Sequence, residues 1–436
     1  MAMKHNVNNP NFFCNGHGEL KPAAKSTFSR REALSLGLLG AGLLWANPKT
    51  ALAQAALRKG GSGHTLVVIF LRGGADGLNV ITPYAEDEYY RNRPSLAIAN
   101  PKAGGLEKDR LIGLDDFFGM NPALTSLRPA WDAGEMAWIH AVGSQDQTHS
   151  HFEAMNTMER GLKNQSDQSS GGWLARYLNA TSEQNHPLRA VGFSPILPDS
   201  LMGSPSALAV NDISEFRLTS DSEQFSKALQ TMYANASDQM ARAGEETLQI
   251  LKSLESVDPD SYLASNGASY PVSPLGQGMK QVGMLIRKGL GLEIACLESL
   301  GWDSHVAQGT TEGLLTELLR DLGDSIGALH KDLGAEMKNV TVVVQTEFGR
   351  RVGENSGLGT DHGSASCMMV LGGGINGGKV YADWPGLAPN QLAEPGDLKV
   401  TTDYRSVLSE VMEQRLGFSD GNSLFPGFRP KILGLA

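Results

Sequence analysis

Apolar positions fall along this chain in two rhythms. Short unbroken runs rich in β-branched residues read as strands buried on both faces, while an apolar stripe repeating every three to four residues reads as a helix laid over them. The stretch "HTLVVIFLRGGADGLN" is a buried strand opening into a glycine-rich loop, and "EMAWIHAVG", "LRAVGFS", "ALAVN" and "ASCMMVLGGG" are further short strands. In "EGLLTELLRDLGDSIGALHKDLG", Leu315, Leu318, Leu319, Leu322, Ile326 and Leu329 share one helical face. That helix leads directly into a strand at Val340–Thr346, and "TTDYRSVLSEVMEQRLG" is a closing helix capped by Thr402 or Asp403. Between them lies a polar, helix-prone middle from about Ser220 to Leu300. Strands alternating with helices predict an α/β fold, a mostly parallel mixed sheet with helices on both faces. There is no internal repeat and no low-complexity tract.

The first residues follow a different pattern. "STFSRREALSLGLLGAGLLWANPKTALAQ" sets Arg30-Arg31 before a modest apolar run from Ala33 to Trp45, then Ala51-Leu52-Ala53. This is a twin-arginine signal over residues 1–53 with cleavage expected before Gln54. The run is short and rich in Gly and Ala, which disfavours a permanent membrane anchor. The remainder, 54–436, is then one α/β domain with a helical insertion around 220–300. Its expected place is the periplasm, or the outside of a cell with one membrane, reached through the twin-arginine translocase. That route carries folded protein, either to load a metal or cofactor beforehand or because folding is fast.

Composition narrows the partners. A 436-residue chain with 41% hydrophobic and 19% charged residues is ordinary for a protein with a substantial core. Its formal net charge of -10 argues against nucleic acid as the main partner, since phosphate backbones attract basic surface. Beyond the signal only Cys296 and Cys367 remain. They could form one disulfide in an oxidising compartment, but their apolar surroundings favour two small core residues.

The chemistry is expected where strands end. Asp76 lies just past the first strand, Glu347 closes the Val340–Thr346 strand, and Asp361 and His362 sit in the loop beyond. Asp303 and His305, in "LGWDSHVAQG", are expected just after a long helix. Carboxylate and imidazole from separate loops are the donors that divalent metals take. Each group also has a plain structural reading: Asp76 as a helix cap, Asp303 and His305 as a solvated helix end, Glu347 in a surface ion pair with Arg350 or Arg351, Asp361 and His362 bonded to their own loop.

The twin-arginine start, "LRGGADGLN", "HSHFEAMNTMERG", "GWDSH", "TEFGR" and "GTDHG", in that order, resemble the exported bacterial DUF1501 family across nearly the whole mature chain. That family in turn resembles, more distantly, the alkaline phosphatase superfamily with its sulfatases. The resemblance implies one or two divalent metals (zinc, calcium, magnesium or manganese) at the strand ends beside a Ser, Thr or modified-Cys nucleophile. Asp76 matches the first-strand metal ligand, and His362 the final metal histidine. Asp303 and His305 resemble an Asp-x-x-x-His pair, though two residues shorter. Glu347-Phe348 stands where the superfamily has Asp-His, so an imidazole is missing and a single metal, or a carboxylate-richer site, is expected.

The nucleophile is sought in "QDQTHSHFEAMNTMERG", where a helix start favours an anionic oxygen. Thr148 or Ser150 would be activated there, with His149 and His151 as ligand or general acid. The plain reading is that Ser150 caps that helix in a capping box with Glu153. Arg72 and Arg160 are candidate oxyanion binders. Two functions follow. One is a metal-dependent hydrolase of a small phosphate or sulfate ester; the other is a non-catalytic exported protein that keeps the fold and binds a cell-surface polymer or partner. A redox enzyme has little support, because "LRGGADG" does not match G-x-G-x-x-G.

Overall fold

A computed structural model describes residues 63–146, 148–163, 169–181, 188–213, 227, 231, 254, 259 and 261–436. The signal segment, and most of the stretch assigned to the helical insertion between 220 and 260, lie outside the described residues. The core of the fold is a nine-stranded sheet. In chain order its strands are β1 (Thr65–Arg72), β2 (Met136–Gly143), β3 (Ala190–Gly192), β4 (Ala207–Ala209), β5 (Ile294–Leu300), β6 (Val340–Thr346), β7 (Ser366–Leu371), β8 (Lys379–Tyr381) and β9 (Thr402–Asp403). Across the sheet they lie in the order β8-β2-β7-β6-β1-β5-β3-β4, and β9 also pairs with β2. The main helices are α1 (His151–Glu159), α2 (Trp173–Ala180), α3 (Pro274–Arg287), α4 (Leu314–Leu333) and α5 (Tyr404–Leu416).

Strand β1 shows why the fold has three layers. Its side chains alternate across the sheet, so Val67, Ile69 and Leu71 join one apolar cluster and Leu66, Val68 and Phe70 join another. On the first face, α3 contributes Leu275, Met279 and Val282, while α4 contributes Leu315, Leu319, Leu322, Ile326 and Leu329. On the second, α2 contributes Trp173, Leu174 and Tyr177, while α5 contributes Val407, Leu408, Val411 and Met412. Each such side chain stabilises the fold by roughly 1.5–3 kcal/mol on burial. The predicted α4 stripe is the buried one, with Leu318 at its margin, and Asp403 caps α5 by accepting from the Arg405 amide.

Among the described strands of this sheet only β7 runs against the others, antiparallel to both β2 and β6. An antiparallel return needs no crossover, so the 347–365 connection stays at the edge where β6 ends. The carboxyl ends of β1, β2, β5 and β6 open onto that same edge. There the sheet presents the four loops that follow these strands to one another, the usual place for ligands in such folds.

Two expectations are corrected. The segment ending at Leu300 is not helical throughout: α3 stops at Arg287 and Ile294–Leu300 is β5, hydrogen-bonded beside β1 in the middle of the sheet. Glu298 breaks its apolar run, which hid the strand, and that carboxylate is used in an ion pair with Arg72. Asp303 and His305 therefore follow a strand rather than a helix. The two cysteines are free and buried, Cys296 with one apolar cluster and Cys367 with the other, so the sheet stands between them.

Candidate metal centre

The loop after β1 fixes the floor of the site. Gly73 has φ of +125°, and a Cβ there would stand 2.4 Å from the Asp303 amide nitrogen, so only glycine admits the 303 loop so close. The Gly73 amide donates to Glu347 Oε1 at 2.8 Å, drawing the end of β6 against the end of β1. Arg350 pins the remaining loops. It is fully buried, donates from Nε to the Gly74 carbonyl (2.6 Å) and from Nη1 to the Thr360 carbonyl (2.8 Å), and its Nη2 reaches the Gly73 carbonyl and Asp303 Oδ1 (2.6 Å). The expected surface pair between Glu347 and Arg350 is not formed. Both are buried, Arg350 serves Asp303, and Glu347 serves His151.

Three imidazoles converge on Asp303. His305 Nε2 lies 3.0 Å and His362 Nε2 3.2 Å from Asp303 Oδ1, the two nitrogens stand 2.9 Å apart, and His151 Nε2 is 3.5 Å from Asp303 Oδ2. Behind each ring, Nδ1 meets an oxygen: Glu347 Oε1 for His151 (2.7 Å), Asp361 Oδ1 for His305 (3.2 Å) and the His149 carbonyl for His362 (2.8 Å). These oxygens only accept, so each Nδ1 carries a proton, and in the neutral ring each Nε2 presents a lone pair to the centre. Donor atoms of His151, Asp303 and His362 all lie within 4.8 Å of one another, and His151 Nε2 is buried without a hydrogen-bond partner. Lone pairs facing one another at such distances repel unless a cation sits among them.

The charges are tuned to match. Burial pushes the Asp303 carboxyl up, but the Arg350 hydrogen bond and charge, with the neighbouring imidazoles, outweigh it and hold the group at about 2. The Glu347 hydrogen bond raises His151, whereas burial lowers His362. Asp361 is lowered, first by the Asn355 hydrogen bond and then by His305, with the charge of Arg351 adding to both.

The sequence-predicted residues thus sort into several groups. Asp303, His305 and His362 meet at one point, and His151, read as a catalytic candidate, joins them. Glu347 and Asp361 stand behind the rings as their acceptors. Asp76 lies apart from the cluster: it is buried, and its oxygens accept from Arg93 Nη1 (2.5 Å), Arg93 Nη2 (2.9 Å) and Gln308 Nε2 (2.6 Å). It makes no side-chain cap to the short helix it precedes. Ser150 is the N-cap residue of α1 but its side chain makes no capping hydrogen bond, so the expected capping box is absent. The Thr148 hydroxyl accepts from the Ser150 amide at 3.4 Å. Arg72 is bound by Glu159 (3.0 Å) and Glu298, and Arg160 Nη2 by the Ser169 carbonyl (2.6 Å).

Sequence reasoning missed Arg350 as the clamp and the His149 carbonyl as the acceptor for His362. His149 has φ of +50°, unusual for a residue with a side chain, and this conformation turns its carbonyl toward His362. The repeated imidazoles of "THSH" were the available signal.

Fold and site together define an α/β protein with an imidazole-carboxylate cluster at the carboxyl edge of its sheet. The chain belongs to the DUF1501 family, described as "Protein of unknown function (DUF1501)", whose model matches residues 64–424. No curated protein matches it.

Proposed function

We propose that this chain is an exported metal-dependent hydrolase acting on a small phosphate or sulfate ester. One observation carries the reading: His151, His305 and His362 each have Nδ1 held by an oxygen and Nε2 turned toward Asp303. Ring nitrogens fixed in this way from behind are the usual arrangement around a bound metal. Three nitrogens with one carboxylate suit zinc or another borderline ion better than calcium or magnesium. A divalent ion there would act as a Lewis acid on the ester oxygen and lower the pKa of the attacking hydroxyl.

The residues of the chain do the rest. Asp303 stays ionised and brings negative charge to the cation, while Arg350 keeps its carboxylate from swinging away. Glu347 and Asp361 hold two rings in the productive tautomer. Ser150 and Thr148 stand at the start of the nine-residue α1, where the helix N-terminus favours an oxyanion. Either hydroxyl is a candidate nucleophile, with His149 beside them. The distant likeness to the alkaline phosphatase superfamily supports this class, and the twin-arginine start supports export in folded form to the periplasm or beyond.

The test is metal content of the purified protein together with hydrolysis of aryl phosphate and aryl sulfate esters, for wild type, Asp303→Ala and His362→Ala. Loss of metal and turnover together in both variants is expected; unchanged metal content in them would remove the centre. The second reading, a binding protein for a surface polymer, has its own observation. Among the described residues neither the Thr148 nor the Ser150 hydroxyl hydrogen-bonds the cluster. Metal bound without turnover of any ester class selects it.

A further inference from the structure

We propose that Asp397 is a positioning residue of the metal centre, acting on His362 through the side chain and then the backbone of His149. The inference rests on the reading of the cluster as a metal site and needs no assumption about the substrate. The route is a chain of contacts. His362 Nδ1 donates to the His149 carbonyl at 2.8 Å, and His149 Nε2 in turn stands 3.0 Å from Asp397 Oδ2. Between the two lies the φ of +50° at His149, which aims the carbonyl. A residue with a side chain keeps such a φ only where its surroundings fix it.

Two groups are in place to do so. Phe348 meets the His149 ring edge-on with 6.2 Å between centroids, and lies 4.8 Å from the rings of both His151 and His362. That contact is apolar and sets no direction for a ring nitrogen. Asp397 sets one. It is fully buried, where an ionised carboxylate is costly unless its oxygens are used. Its Oδ2 accepts from Ser364 Oγ at 2.8 Å, and His149 Nε2 approaches the same oxygen off the ideal hydrogen-bond line, with no other acceptor among the described residues. A carboxylate only accepts, so Nε2 carries the hydrogen there.

The backbone holds Asp397 itself. Its amide and carbonyl both bond Ala393, and it bridges Arg351, while the Gly396 and Leu398 carbonyls take the amides of Val352 and Ala365. Arg350, one residue before that bridge, bridges His362. The turn carrying Asp397 is therefore fastened to the same ribbon as the ring it serves.

Zinc affinity is measured by chelator competition on full-length mature protein, with a melting temperature for each variant. Asp397→Ala is expected to bind zinc about tenfold more weakly, the low end for a group behind a ligating histidine, and Asp397→Asn to recover part because its carbonyl oxygen still accepts. His149→Ala should lose as much, whereas His149→Gly should lose less, since glycine adopts a positive φ without a side chain to hold it. Asp397→Ala added to His149→Gly should then change nothing further. The same loss in that background would mean that Asp397 acts by its charge alone, and overturns the route. Wild-type affinity in Asp397→Ala overturns it too. Where Asp397→Ala does not fold, the other pair decides: equal affinities in His149→Ala and His149→Gly overturn the route. Failure of the wild type to take up zinc or any other divalent ion removes the centre and this inference together. The expected pattern of zinc affinities without turnover of any ester supports the assignment and removes only the hydrolase reading.

Discussion

His151 Nδ1 donates to Glu347 Oε1 at 2.7 Å, joining the first turn of α1 to the end of β6 across 196 positions of sequence. The same oxygen accepts from the Gly73 amide at 2.8 Å, so one carboxylate sets a ring and a loop together. Replacing it should loosen the centre without emptying it. Glu347→Gln is expected to lower zinc affinity by about 10–100-fold, the usual cost of losing a partner behind a ligating histidine. Competition against a chromophoric chelator measures it, and wild-type affinity would detach Glu347 from the site.

Arg350 is a structural clamp rather than a substrate group. Arg350→Met leaves the Gly74 and Thr360 carbonyls and Asp303 without their donor. Breaking such a buried network costs about 3–5 kcal/mol. Arg350→Lys should recover little, because an ammonium cannot span the fork-shaped set of acceptors. Chemical denaturation of both variants gives the comparison; a Lys variant as stable as wild type would refute the clamp.

Asp76 separates a structural carboxylate from a metal-binding one. Its pair with Arg93 is buried on both sides, so Asp76→Ala strands a guanidinium in the interior and should cost about 3–5 kcal/mol. Its folded fraction should take up metal with wild-type stoichiometry. If metal is lost while stability stays near wild type, Asp76 is a ligand after all.

Acid should destabilise the protein through His140. Burial pushes this ring down to about 4, against the opposing hydrogen bond to the Ile81 carbonyl. The folded value lies below the ordinary 6.5, so the unfolded chain binds the proton first. Stability from this group is whole above about pH 6.5 and is lost as pH falls toward 4, by about 3 kcal/mol across that window. His140→Gln, which retains a donor for Ile81, should flatten that part of the curve of unfolding free energy against pH. His64, pushed down to about 4 chiefly by burial, leaves a residual slope. An unchanged curve would show that His140 does not titrate as its burial demands.

Much of this protein was legible before any tertiary contact was known. Alternation of β-branched runs with apolar helical stripes is a local property, so the α/β class, β1, β2, β6, α4 and a cap at Thr402 or Asp403 follow from the sequence alone, and the structure selects Asp403. The grouping of Asp303, His305 and His362 was also legible as donor chemistry, because residue type alone says what a side chain can ligate.

What tertiary structure decided is which atoms face which. β5 was hidden because Glu298 interrupts its apolar run, and only the pairing with β1 and the Arg72 contact account for a carboxylate there. Asp76 and Glu347 look alike in sequence, each a carboxylate at a strand end. One was claimed by Arg93, 17 positions on, and the other by His151. Arg350 and Arg351 are neighbours in the chain, yet an extended backbone sends one into the cluster and the other away from it. Local sequence fixes the chemistry a residue carries, whereas the partner it meets depends on sheet order and strand direction, which are set by long-range packing.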